Sequence, residues 1–163
     1  QVAEAAIGFD NLMHYYEPSM CEHPIAVSLH SKLEMSKNLN HPYYIDGDSV
    51  LVDDCLKLGM SKGIIVTNPG FYAPQGRHLR TKNILPYDLS GFLHFNYKDS
   101  IITNFDMETS GIYGLSHVMG HRAISISAIL ANRFHSTFSN QTDKTVFNMI
   151  EKVTNAIKNG FFL

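Results

Sequence analysis

The sequence lacks any excess of positive charge. Its 163 residues include 13 lysines and arginines against 15 aspartates and glutamates, which gives a formal net charge of −2. Domains that bind nucleic acid usually carry a basic patch or stripe. The composition therefore argues against DNA or RNA as a partner.

Long apolar runs and cysteine are also scarce. The longest apolar stretch, residues 124–131, has polar residues inside it, whereas a bilayer-spanning helix needs about 20 mostly apolar residues. We therefore expect no membrane segment, and we see no signal peptide ahead of the first structured stretch. Two cysteines, Cys21 and Cys55, are too few for a disulfide scaffold. They favour a reducing compartment, and we expect the cytoplasm.

Histidine is abundant, but its spacing is not that of a metal site. There are nine histidines, spread along the whole chain. His117 and His121 are four residues apart, which could place them on one helical face, but Gly120 precedes the second and weakens that helix. We expect no bound metal.

What the sequence does have is the composition of a globular domain. Hydrophobic residues make up 44% and charged residues 17%, as in ordinary soluble folds, and the length suits one domain. The chain begins at Gln1 rather than at methionine and enters an apolar, strand-like stretch at once.

Strand and helix patterns alternate along the chain. Alternating or continuous apolar residues predict strands over 2–6, 24–29, 63–67, 89–96 and 122–130. Helical spacing and caps predict helices over 50–58, 106–119 and 142–158, with a helical turn within 10–16. This order indicates an α/β domain with a largely parallel or mixed sheet. In such sheets, ligands bind at the loops beyond the strand ends.

The loop after the strand at 63–67 holds the first candidate site. It is rich in glycine and proline and carries two aromatic residues, a glutamine and an arginine. Gln75 and Arg77 are two residues apart, so an extended loop would point both to one side. An amide and a guanidinium together match the polar edge of a planar heterocycle, and Phe71 or Tyr72 could cover its face. The alternative is a surface loop with structural aromatics.

A second candidate segment, residues 103–110, places two carboxylates and Met107 where a strand meets a helix. Carboxylates at a helix start are often only favourable partners of its dipole. They could also accept hydrogen bonds from a diol such as the ribose hydroxyls, with Met107 as an adaptable apolar surface. A third, weaker candidate is the strand end at Asn132 and Arg133.

Together, these segments resemble the uridine phosphorylases of the nucleoside phosphorylase superfamily. Residues 71–77 (Phe-Tyr-Ala-Pro-Gln-Gly-Arg) resemble the family's base-binding loop, and residues 104–109 (Asn-Phe-Asp-Met-Glu-Thr) resemble its ribose-binding segment. The sequences Gly-His-Arg-Ala at 120–123 and Ala-Asn-Arg at 131–133 follow in the family's order. The resemblance runs from residue 2 to residue 158.

The resemblance implies a three-layer α/β/α fold with a central mixed sheet, in which residues 1–163 form the C-terminal portion of one domain. The implied activity is the reversible phosphorolysis of uridine to uracil and ribose 1-phosphate, a step of pyrimidine salvage. Inorganic phosphate would be the co-substrate, and no cofactor would be needed. The family also implies a homo-oligomer, either a dimer or a hexamer of dimers.

The resemblance further implies two groups of site residues. The base would be bound by Phe71, Gln75, Arg77 and Arg133, the last through water. The ribose would be held by Asp106, Met107 and Glu108. Gln75 and Arg77 would also be catalytic, since Arg77 would face the negative charge that develops on the departing uracil.

The chain departs from the family's pattern in three ways. Asp106 replaces a glutamate that is one methylene longer, and Ala73 replaces a common glycine, which would be strained if that position needs a positive φ. The family's phosphate-binding loop and arginines have no counterpart here, and we expect them ahead of Gln1. Two alternatives stay open: a nucleoside-binding protein that cannot catalyse, and a phosphorylase or hydrolase of purine nucleosides.

Overall fold

The computed structural model describes residues 1–35, 39, 41–81, 91–92, 94–97 and 100–163. The strands are β1 (Val2–Gly8), β2 (Tyr43–Asp46), β3 (Lys62–Thr67), β4 (Asn96–Tyr97), β5 (Ser100–Asp106), β6 (Ala131–Asn132) and β7 (Thr137–Phe138). The α-helices whose bounds lie within the described residues are α1 (Pro24–Lys32), α2 (Ser49–Lys57), α3 (Thr109–Val118) and α4 (Thr142–Lys158).

Five of the strands form one mixed sheet in the order β2-β1-β3-β5-β4. β1 pairs with β3, and β3 with β5, in parallel, while β2 and β4 are antiparallel to their neighbours. β6 and β7 form a separate small hairpin. The predicted mixed sheet is confirmed.

Strands β1 and β3 are buried on both faces. Ile7, Ile64 and Val66 face a cluster that includes Leu29 of α1, and Ile65 faces the cluster of Tyr113 from α3. Burying one such aliphatic side chain contributes about 1.5–3 kcal/mol. Helices therefore cover both faces of the sheet, which confirms the predicted three-layer α/β/α arrangement.

The predicted strand at 24–29 is wrong, because these residues form α1. Pro24 occupies the first turn, where its fixed φ suits a helix, and the His23 side chain accepts a hydrogen bond from the Ile25 N–H at 3.3 Å. Ile25 and Leu29, four residues apart, are buried, while Val27 is exposed. Ile25 and Leu29 share one face of a helix and Val27 lies off it, so the spacing of two residues was read at the wrong period.

The predicted strand at 122–130 is also wrong, because this segment does not pair continuously with a neighbouring strand. The segment makes a single antiparallel bridge, between Val2 and Ile126, with flanking bonds from the Ala3 N–H to the Ser125 carbonyl and from the Ser127 N–H to the Gln1 carbonyl. β2 occupies this same edge of β1 from Ala5 onward. Only the first three residues of β1 are left for the segment to pair with.

Other boundaries agree with the sequence to different degrees. The strands at 2–6 and 63–67 appear as β1 and β3, and α4 has the predicted bounds. α2 starts where Asp48 caps it, whereas α3 starts at Thr109 rather than at residue 106. β2 and β5 were not predicted. The predicted strand at 89–96 lies largely outside the described residues; residues 91–92 are helical and β4 begins only at Asn96.

Both cysteines are free thiols in the structure. Within the described ranges, no helix combines the length and the apolar character that crossing a bilayer requires.

Candidate active site

The two main candidate segments start side by side at one end of the sheet. Thr67, the last residue of β3, pairs with Asp106, the last residue of β5. The Asn68 N–H donates to the Asp106 carbonyl at 3.0 Å. Because β3 and β5 are parallel, the loop from residue 68 and the segment from residue 107 leave the same edge, where ligands bind in α/β sheets.

The loop after β3 is shaped by a short 3₁₀ turn, Ala73–Gln75. Gly76 ends the turn with φ of 69°, a left-handed conformation that suits glycine. Its N–H donates to the Ala73 carbonyl at 2.9 Å, and the Arg77 N–H donates to the Tyr72 carbonyl at the same distance. Ala73 does not have a positive φ, so alanine causes no backbone strain at this position, where the family commonly has glycine.

Gln75, Arg77 and Arg133 meet at this loop. One Arg77 nitrogen donates to the Gln75 Oε1 and, at 2.6 Å, to the Phe71 carbonyl. The Arg77 guanidinium carbon lies 3.6 Å from the centre of the Phe71 ring. The Arg133 Nη2 donates to the Gln75 carbonyl at 3.0 Å. Tertiary contact thus brings together residues that are 58 positions apart in the chain.

These three side chains line one cavity of about 400 Å³, a size typical of small-molecule sites. The rest of its wall comes from β5 and from the segment before and after β6: Thr103, Asn104, Phe105, Ala128, Ile129, Leu130, Ala131, Asn132, Phe134 and Phe138. Phe71, Met107 and Glu108 are not in this wall. Phe71 is half-exposed beside Arg77.

The charged side chains of the described cavity wall are two arginines, Arg77 and Arg133. Burial lowers the pKa of the Arg77 guanidinium, and burial together with the charge of Arg77 lowers the pKa of Arg133. No carboxylate of the described residues forms an ion pair with either side chain, and the buried Arg133 Nη1 has no hydrogen-bond partner. Two cations without a counter-ion would stabilise negative charge on a ligand.

Asp106 is engaged by its own neighbours. The Thr67 hydroxyl donates to its Oδ1 at 2.6 Å, and the Thr109 N–H donates to its Oδ2 at 2.9 Å. The Thr109 hydroxyl donates to the same Oδ2. Asp106 therefore anchors the start of α3 to β3, from a position two residues before the N-cap residue Glu108.

Met107 and Glu108, by contrast, are exposed. The Met107 side chain is 44% exposed, and the Glu108 Oε2 accepts a hydrogen bond from the neighbouring Met107 N–H at 3.2 Å. Of the three residues predicted to hold a ribose, these two have side chains accessible to a ligand beside the loop of Gln75.

Several polar residues at this edge were missed by the sequence reasoning. Asn68 is 1% exposed, and among the described residues neither of its side-chain amide atoms has a hydrogen-bond partner. Asp10, Tyr43 and Ser110 form a hydrogen-bonded group under the start of α3. The one available signal was position, because Asn68 and Asp10 each follow a strand closely. In the part of the chain that the structure describes, no cluster of three potential metal ligands occurs.

Comparison with known proteins shows a likeness in structure. No protein-family model and no curated protein matches the chain. A solved structure of a nucleoside phosphorylase from Trypanosoma brucei, described as showing uridine phosphorylase activity, matches with a TM-score of 0.80 and 20% sequence identity. The chain has the fold of a nucleoside phosphorylase.

The match covers 98% of this chain and 57% of the Trypanosoma brucei chain. This chain thus spans little more than half the length of the nucleoside phosphorylase it resembles. At this level of identity, the likeness concerns the fold.

Proposed function

We propose that this chain forms the base- and ribose-binding part of a nucleoside phosphorylase that cleaves uridine with inorganic phosphate. The observation that carries the proposal is the meeting of Gln75, Arg77 and Arg133 in one cavity at the carboxyl ends of parallel strands. The fold likeness to a nucleoside phosphorylase supports it independently.

The loop offers the polar groups that a uracil edge requires. Uracil presents a carbonyl, an N–H and a second carbonyl in one plane. The Gln75 amide can accept from the N–H and donate to one carbonyl, and the Arg77 guanidinium can donate to the other. In the structure these two side chains bond to each other, so binding the base would exchange that bond for bonds to uracil. The Phe71 ring beside Arg77 would pack against the base.

The chemistry follows from where charge develops. As the glycosidic bond breaks, its electron pair goes to the uracil nitrogen, and the sugar becomes positively charged. A phosphate oxygen then forms the new bond to the sugar carbon, which gives ribose 1-phosphate, and uracil takes up the proton that the phosphate gives up. The Arg77 and Arg133 cations would stabilise the uracil anion in the transition state. Phosphate is the nucleophile, so no protein nucleophile is required.

The exposed pair after β5 would hold the sugar. Glu108 would accept hydrogen bonds from the ribose hydroxyls, and Met107 would pack against the ring. Contact between Asp106 and the ribose stays a prediction. Both of its carboxylate oxygens already accept hydrogen bonds, from Thr67 and from Thr109.

The remaining parts of the proposal concern the complete protein. A phosphate-binding portion would precede the segment described here, the assembly would be a homo-oligomer, and the enzyme would act in the cytoplasm. No cofactor or metal would take part in the reaction.

The test is to follow uridine absorbance with the full-length protein, with and without phosphate. We expect cleavage only when phosphate is present, with ribose 1-phosphate as the product. Cleavage without phosphate would identify a hydrolase. Cleavage of inosine but not uridine would identify a purine enzyme, and binding of uridine without cleavage would identify a nucleoside-binding protein. Each of these three results would overturn the proposal.

A further inference from the structure

A hydrogen-bonded group lies beneath the start of α3, outside the cavity described above. The Asp10 carboxylate accepts from the Tyr43 hydroxyl at 2.9 and 3.0 Å and from the Ser110 hydroxyl at 2.7 Å. The Tyr43 and Ser110 oxygens are also 2.8 Å apart. The Leu12 N–H donates to the Asp10 Oδ1 at 2.8 Å, which fixes the carboxylate to its own loop.

The fold is shaped to bury this group. Tyr43 and Ser110 are both fully buried. Burial raises the pKa of the Tyr43 hydroxyl, which keeps its proton. Gly8, at the end of β1, has no side chain, and a Cβ there would meet the Tyr43 ring and lie 2.6 Å from the Ser110 Oγ. The close approach therefore requires glycine at this position.

The group is tied to the proposed ribose site through Ser110, which lies in the first turn of α3, two residues after Glu108. Its N–H donates to the Thr67 hydroxyl at 2.9 Å, and the preceding Thr109 N–H is held by Asp106. Thus β3 and Asp106 hold this turn from one side, and Asp10 holds it from the side of β1.

We propose that Asp10 is a positioning residue which, through Ser110, sets the place of the Glu108 carboxylate against the ribose hydroxyls. The inference rests on the proposed function, because it assigns Asp10 a part in ribose binding. The Ser110 hydroxyl has one proton, and Asp10 is the acceptor that it meets in the structure. Asparagine at position 10 would turn one acceptor into a donor and leave a hydroxyl mispaired. Small displacements of a positioned group are costly in catalysis.

A purely structural role gives a different expectation. If the group only stabilised the fold, its loss would lower the melting temperature and affect all nucleoside substrates alike. If it positions Glu108, its loss would reduce the advantage that the enzyme gains from the 2′-hydroxyl. The ratio of kcat/KM for uridine to that for 2′-deoxyuridine separates the two.

The experiment compares Asp10→Asn and Ser110→Ala with wild type in the full-length protein. Loss of one hydrogen bond's contribution predicts a fall in the uridine to 2′-deoxyuridine ratio of about 3- to 10-fold in both variants. The matched control is Asp46→Asn, because Asp46 is exposed and accepts at 2.8 Å from the hydroxyl of Tyr44, which lies on its own strand and not on α3. Its ratio should equal that of wild type.

The outcomes are distinguishable. If wild type discriminates between the two nucleosides but both variants fold and keep ratios within two-fold of wild type, the role of Asp10 is overturned and the proposed function is not. A wild-type protein that cleaves neither nucleoside would overturn the proposed function and this inference with it. If Asp10→Asn does not fold, the ratio of Ser110→Ala decides, since that variant keeps the backbone bond to Thr67.

Discussion

Replacement of Arg77 by alanine is the sharpest test of the proposed chemistry. The substitution removes the guanidinium that bonds to the Gln75 side chain and the Phe71 carbonyl and stacks on the Phe71 ring. It leaves Arg133 as the one remaining cation of the cavity wall among the described residues. The perturbation is therefore local to the proposed base site.

The magnitude follows from the bond that would be lost in the transition state. A hydrogen bond to a charged group contributes about 1.5–3 kcal/mol, which at about 1.4 kcal/mol per tenfold corresponds to a roughly 10- to 150-fold slower reaction. Because Arg77 would bond to the uracil carbonyl on binding and more strongly as charge develops, kcat for uridine should fall, and kcat/KM should fall at least as much. Arg77→Lys should be intermediate, since it keeps the charge but loses the planar fork.

The assay is steady-state phosphorolysis of uridine by the full-length protein, with Arg80→Ala as the matched control. Arg80 is an exposed arginine three residues further along and should have no effect beyond about two-fold. Melting temperatures of both variants establish that they are folded. Full activity of Arg77→Ala on uridine would remove Arg77 from the mechanism.

Two further predictions concern stability, each measured by urea unfolding of the full-length protein. Asp48 caps α2 by accepting from the Leu51 N–H at 2.9 Å and forms an ion pair with Arg122 at 3.1 Å. Asp48→Ala should therefore lower the free energy of unfolding by about 1 kcal/mol. Burial raises the Asp48 pKa, but these two partners outweigh it and hold the pKa below its usual value. The stabilisation by the ionised Asp48 is then present above about pH 4 and is lost as the pH falls below it. The difference in free energy of unfolding between Asp48→Ala and wild type should therefore be smaller at pH 3 than at neutral pH. A difference that does not change with pH would contradict the assignment. Gly8→Ala should cost about 1–3 kcal/mol because its Cβ would overlap the rigid, buried Tyr43 ring, and an unchanged unfolding midpoint would show that the ring can move.

Local sequence signals predicted those elements whose stabilising groups are close in the chain. α4 has its apolar face at helical spacing and a glycine after its end, and its bounds were predicted from residues 142–160 alone. A candidate cap within residues 46–49 and the helical spacing of Leu51 and Cys55 predicted α2 in the same way, and the structure assigns the cap to Asp48. β3 was evident as an apolar run, because a parallel strand covered on both faces needs no polar alternation.

The failures occur where a distant partner decides. Ile25, Val27 and Leu29 fit a strand as well as a helix over so short a stretch, and the cap at His23 and burial against the sheet favoured the helix. Residues 122–130 have the composition of a strand, but β2 already occupies most of the edge that they approach. Strand pairing depends on which edges are free, and that is a property of the whole fold.

By itself, the sequence determined the identity of the polar groups: an amide and a guanidinium two residues apart on a Gly- and Pro-rich loop, and carboxylates at a strand end. Only the tertiary structure decided which of them meet. It placed Arg133 on the Gln75 carbonyl, turned Asp106 toward Thr67 and Thr109, and joined Asp10 to Ser110 across 100 residues. The physical reason is that a motif's chemistry belongs to its side chains, whereas their partners depend on parallel strands that bring distant chain segments to one edge.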